Sequence, residues 1–190
     1  MLKKVLFLGA IIVIVVFLSG CTDNSIQISN ESTNLTNITT KTYSNADVGV
    51  TFNYPENWIL FNITGKNGIV GIGDPNSVDK NNNNTNTIVI IQKTALPTGQ
   101  TLESTYDATY KDTTQDPSYQ LVSKRNLTID GQTAIENIHK INVNGVQKVE
   151  KDVWIEKNGT IYVIICSALT NDFNRQQSYF NVIINSFKIQ

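Results

Sequence analysis

From residue 120 onward the chain alternates apolar and polar positions in four runs, 120–129, 132–143, 146–157 and 160–168. Asp130-Gly131, Asn144-Gly145 and Asn158-Gly159 separate these runs at intervals of 14 residues. Asn-Gly and Asp-Gly suit two-residue type I′ turns, in which both central residues take a positive φ. The pattern predicts a four-stranded antiparallel meander. In the second run Ile135, His139, Ile141 and Val143 share one face, whereas Glu136, Lys140 and Asn142 share the other, so that strand is expected to be wet on one side. The last run is apolar on both faces, with Ile161, Val163 and Ile165 opposite Tyr162, Ile164, Cys166 and Ala168. It is therefore expected to be central and covered on both sides.

Helical spacing marks two covering elements. Leu102, Tyr106 and Tyr110 follow a capping residue, Thr101, with Glu103 in the first turn. Phe173, Phe180, Ile184 and Phe187 follow the capping-type residues Thr170 to Asp172. Upstream, residues 49–54, 58–63, 69–72 and 87–93 read as short strands. The Asn-rich loop 74–86 reads as mobile. The fold class that results is α+β: a central antiparallel sheet, including the meander at 120–168, sandwiched by helices.

The N-terminus has a different pattern. Lys3 and Lys4 precede an apolar run over residues 5–20, which ends in Leu18-Ser19-Gly20-Cys21. The run falls short of the roughly 20 residues of a membrane-spanning helix. A positive region, an apolar region and small residues before a cysteine have the layout of a lipoprotein signal. Cleavage would leave a lipidated Cys21 at the head of the mature chain, on the extracytoplasmic face of the cell membrane. The expected organisation is a signal peptide at 1–20, a lipid-anchored disordered Ser/Thr/Asn stalk at 21–41 and one globular domain at 42–190. The stalk would reach about 25 Å.

Composition narrows the chemistry. Fifteen basic residues against 16 acidic ones leave a net charge of −1 and no clustered basic face for nucleic acid. With Cys21 assigned to the anchor, Cys166 is left without a disulfide partner and is expected to be buried. The single histidine, His139, has no second His or Cys beside it and reads as a half-buried sheet residue, not as a base or ligand. Asp74-Pro75-Asn76 opens like a calcium loop, but Val78 and Thr85 stand where that loop needs an oxygen ligand and a Glu. Gly68, Gly71 and Gly73 lack dinucleotide-binding spacing. No catalytic residue, metal ligand or cofactor is assigned. Trp154, flanked on its face by Asp152 and Glu156, is a candidate interface anchor, with burial under a helix as the competing expectation. Asn30, Asn34, Asn37, Asn62, Asn83, Asn126 and Asn158 head glycosylation triplets, which are permissive only.

The stretch Tyr43-Ser44-Asn45-Ala46-Asp47-Val48-Gly49-Val50-Thr51-Phe52-Asn53-Tyr54-Pro55-Glu56-Asn57-Trp58 resembles the opening motif of PsbP-related proteins, and Ile183-Ile184-Asn185-Ser186-Phe187-Lys188-Ile189 resembles their closing helix. The resemblance implies a Mog1/PsbP-like fold and a role in docking to other proteins. It carries over no metal-binding residue. The function expected is that of a non-enzymatic, lipid-anchored extracytoplasmic domain that docks to and supports an envelope protein or complex. The alternative is a small-molecule carrier or sensor with an apolar pocket between sheet and helix.

Overall fold

Why the last run of the meander is apolar on both faces is answered by its place in the sheet. The computed structural model describes residues 38–190 other than 66, 81, 82 and 144. Ten strands are found among them: β1 (Thr40–Asn45), β2 (Val50–Pro55), β3 (Ile59–Phe61), β4 (Gly68–Gly73), β5 (Ile88–Ala95), β6 (Gln120–Ile129), β7 (Gln132–Val143), β8 (Val146–Lys157), β9 (Thr160–Leu169) and β10 (Lys188–Ile189). Two helices, α1 (Leu102–Thr113) and α2 (Phe173–Ser186), complete the domain. Seven strands form one antiparallel sheet in the order β3-β4-β5-β9-β8-β7-β6, with β9 in the middle. β1, β2 and β10 form a second, three-stranded sheet. Among the described residues no helix is long and apolar enough to cross a membrane.

The meander has the expected strands and turns. Asp130 and Gly131 have φ of 50° and 74°, and Asn158 and Gly159 have 53° and 74°, the left-handed pair a type I′ turn demands. One face of the large sheet, with Ile164, Cys166 and Ala168 of β9, packs on Phe173, Phe180 and Ile183 of α2 and on Phe52 of β2. The opposite face, with Ile161 and Val163, packs under Tyr106 and Tyr110 of α1. The sheet is thus covered on both sides, as an α+β sandwich requires.

Three expectations are corrected. β7 is not wet on one side: Glu136 is buried, with its Oε1 2.6 Å from Arg125 Nε and its Oε2 3.9 Å from the buried Lys151 Nζ. A charged face is covered here because its charges are paired. The stalk does not run to residue 41, since Thr40 and Lys41 already pair with Pro55 and Tyr54 in β1. The 74–86 loop carries local order: a 3-10 turn at Pro75–Ser77, whose cap Asp74 accepts from the Asn76 N–H, and a bridge between Val78 and Thr85. The signal, Cys21, Asn30, Asn34 and Asn37 lie outside the described residues. The remaining sequon residues, Asn62, Asn83, Asn126 and Asn158, are all exposed.

Candidate functional site

The hairpin register determines which side chains share a face. The β7–β8 ladder pairs Val143 with Val146, and counting outward brings His139 opposite Glu150, Asn137 opposite Asp152 and Ile135 opposite Trp154. The next ladder continues these rows onto β9, where Ser167, Ile165 and Val163 stand opposite Glu150, Asp152 and Trp154. The polar residues of β7 and β8 thereby collect on the α1 face of the sheet, next to an apolar strip from β9 and β5.

α1 is fixed above them by its own cap. Thr101 accepts from the Ser104 N–H while Ser104 Oγ accepts from the Thr101 N–H, a reciprocal capping box. Lys124 of β6 reaches Asp107 at 3.3 Å, bonds Glu103, and lies 4.2 Å over the Tyr106 ring, which fastens the helix to the sheet. Tyr106 and Tyr110, one turn apart, then sit over Trp154, with Tyr106 edge-on to the indole at 5.7 Å. Trp154 is only 4% exposed. It is a packing residue under α1, and its burial removes it as an interface anchor.

α1 covers only part of the face. Between α1, the β3–β4 connection and the sheet remains a cleft of about 430 Å³. Ile88, Ile90, Ile141, Val143, Val163 and Ile165 give it apolar walls, and His139, Glu150 and Asp152 lie along it. An apolar cavity with a few convergent polar groups is the usual form of a ligand site.

The polar cluster is tightly held. His139 Nε2 lies 3.5 Å from Glu150 Oε2, and Nδ1 lies 3.9 Å from Asp152 Oδ2. The imidazole stacks on Tyr119 at 4.9 Å and meets the Tyr110 ring edge at 5.9 Å. Asn137 Nδ2 is 3.4 Å from His139 Nδ1. Tyr110 donates its hydroxyl to Asp152 Oδ2. Asp152 Oδ1 and Asn137 Oδ1 are buried without a hydrogen-bond partner.

Burial pushes the Asp152 carboxyl well above the usual carboxylate range, with Glu150 adding to the effect and His139 and the Tyr110 hydroxyl opposing it. Burial pulls His139 down, but the Glu150 hydrogen bond and the charges of Asp152 and Glu150 outweigh it, and the imidazole is raised overall. Burial likewise lifts Tyr110, with the Asp152 charge second. The cluster can hold a proton or a cation in a low-dielectric recess.

His139 is therefore not the isolated, half-buried residue that its sequence neighbours suggest: it is buried between two carboxylates eleven and thirteen positions away. The signal was present, because the Asn144-Gly145 turn determines the register that pairs them. Cys166 is buried on the opposite face, where burial raises its thiol.

Comparison with known proteins agrees with this architecture. A family model described as PsbP-like protein matches residues 5–189. The solution structure of cyanobacterial PsbP (CyanoP) from Synechocystis sp. PCC 6803 superposes with a TM-score of 0.60 at 15% identity, over 91% of this chain and 99% of that one. The crystal structure of LpqN, involved in cell envelope biogenesis of Mycobacterium tuberculosis, superposes with a TM-score of 0.60 at 18% identity, over 80% of this chain and 91% of that one. No curated protein matches the sequence.

Proposed function

The chain belongs to the PsbP-like protein family, and from that membership we propose that it is a non-enzymatic domain of the cell envelope, lipid-anchored through Cys21 on the extracytoplasmic face, that docks to and supports an envelope protein or complex. The observation that carries the docking reading is the free edge of the seven-stranded sheet. Among the described residues, β3 pairs with β4 on one side only. Its three residues, Ile59, Leu60 and Phe61, are 59%, 38% and 39% exposed. Exposed apolar side chains on a strand with one open edge form a template for an added strand from a partner, with backbone hydrogen bonds for affinity and side-chain pockets for register. The layout of residues 1–21 supports the anchor, and the envelope role of LpqN agrees with the setting.

The test is chemical cross-linking in cells, comparing the full-length chain with Leu60→Lys. One recurring envelope protein should be linked to the wild type, and the charged edge should reduce its yield about tenfold, the loss of roughly 1.4 kcal/mol. Equal yields would contradict docking at β3. The intact mass of the same purified protein should correspond to an acylated chain beginning at Cys21; a chain retaining Met1 would contradict the anchor.

The cleft supports a second reading, a carrier or sensor for a small ligand. Native mass spectrometry that finds a molecule retained by the domain, with no enriched protein partner in cells, would favour it.

A further inference from the structure

We propose that His139, Glu150 and Asp152 form a binding site for a divalent first-row transition ion of the zinc kind, with an open coordination position facing the cleft. The proposal stands apart from docking at β3, and each can fail alone.

Zinc bonds imidazole nitrogen and carboxylate oxygen at about 2.0–2.2 Å, so two of its ligands in a tetrahedron stand roughly 3.4 Å apart. His139 Nε2 and Glu150 Oε2 already stand at 3.5 Å. One ligand atom from each of the three residues can be chosen so that all lie within 4.8 Å of one another. A bound ion would draw these atoms in from within 4.8 Å to the roughly 3.4 Å of a tetrahedral site.

A second observation points into the same site. Asp152 is buried, Tyr110 occupies its Oδ2, and its Oδ1 has no hydrogen-bond partner. A buried carboxylate oxygen with no partner is costly, and a cation beside it removes the cost. The neighbours have the form of supports for metal ligands: Tyr110 orients Asp152, and the Asn137 amide lies against His139 Nδ1. Glu150, with 18% of its side chain exposed, gives the ion a way in from the cleft.

The ligand set also selects the ion. Magnesium and calcium favour six or more oxygens, whereas an imidazole with two carboxylates and an open position suits zinc.

His139 is the only histidine of the chain, so the full-length, untagged protein labelled with 15N-histidine gives one imidazole spin system to follow. On titration with zinc chloride, that signal should shift to a new position and saturate at one equivalent, while magnesium and calcium chlorides leave it unmoved. Glu150→Gln should weaken the response at least tenfold. His139→Gln, read by isothermal titration, should lose the one-equivalent binding event. An imidazole signal that zinc does not move, an unchanged response in Glu150→Gln, or one-equivalent binding retained in His139→Gln would overturn the proposal. Zinc captured elsewhere leaves the imidazole unmoved and so counts against it.

Discussion

Gly71 shows how closely one residue's size is tied to the shape of the domain. A Cβ placed on it would lie 2.2 Å from Cε2 of Phe61, whose ring rests on the bare backbone of β4. The requirement is close approach, so any side chain must displace the ring. Gly71→Ala should destabilise the domain by about 1–3 kcal/mol in urea unfolding. Adding Phe61→Ala should recover part of that loss, and strictly additive effects would refute the contact. Gly68, Gly71 and Gly73 read from the sequence as strand and turn residues with no hint of the ring above Gly71, because the six-residue connection 62–67 does not set a register as a two-residue turn does. His139 was misjudged for a related reason. Its sequence neighbours are Ile138 and Lys140, and its carboxylates come from the next strand. Trp154 was legible only as a choice between exposure and cover. The Tyr106 and Tyr110 spacing on α1 decides it, once the helix is known to lie on that face.

At the scale of elements, the meander was written plainly. Turn chemistry, strand length and two-sided apolar patterning agree, and such agreement across levels specifies a register. β1 was missed because residues 40–45 are polar apart from Tyr43, which stacks on Phe52 at 4.9 Å. An edge strand held by its ladder leaves little hydrophobic periodicity to read. β10 is held by charge. Asp130, at the β6–β7 turn, accepts from the Ile189 N–H at 3.0 Å and lies 3.3 Å from Lys188 Nζ and 3.4 Å from Lys157 Nζ. The Ile189 N–H holds its carboxyl below the usual range against burial, the next-largest effect, and Lys188 and Lys157 add to the lowering. A depressed carboxylate stabilises the fold above its unfolded value of about 3.9 and loses that contribution as pH falls through the folded value. Asp130→Asn keeps a residue that tolerates the local φ of 50° and removes the charge. It should cost about 1.5–3 kcal/mol near neutral pH. The gap between the two urea-unfolding curves should close once the pH falls below the folded value, and a gap that persists there would refute the electrostatic account.

At the scale of the whole molecule, the two edges of the large sheet differ. At one edge β3 carries the exposed apolar residues Ile59, Leu60 and Phe61. At the other edge β6 presents Leu121, 52% exposed, on a strand whose middle carries the exposed Lys124, Arg125 and Asn126. Charged residues on an edge strand discourage strand addition, and their absence from β3 leaves that edge open. On the proposed docking, a partner strand adds at the β3 edge and not at the β6 edge. Its most direct test is a photo-cross-linking amino acid placed at Leu60 or at Leu121 of the full-length chain and activated in living cells. One envelope protein should be captured from position 60 and not from position 121. Capture at 121 alone, equal capture at both, or none at 60 would contradict it.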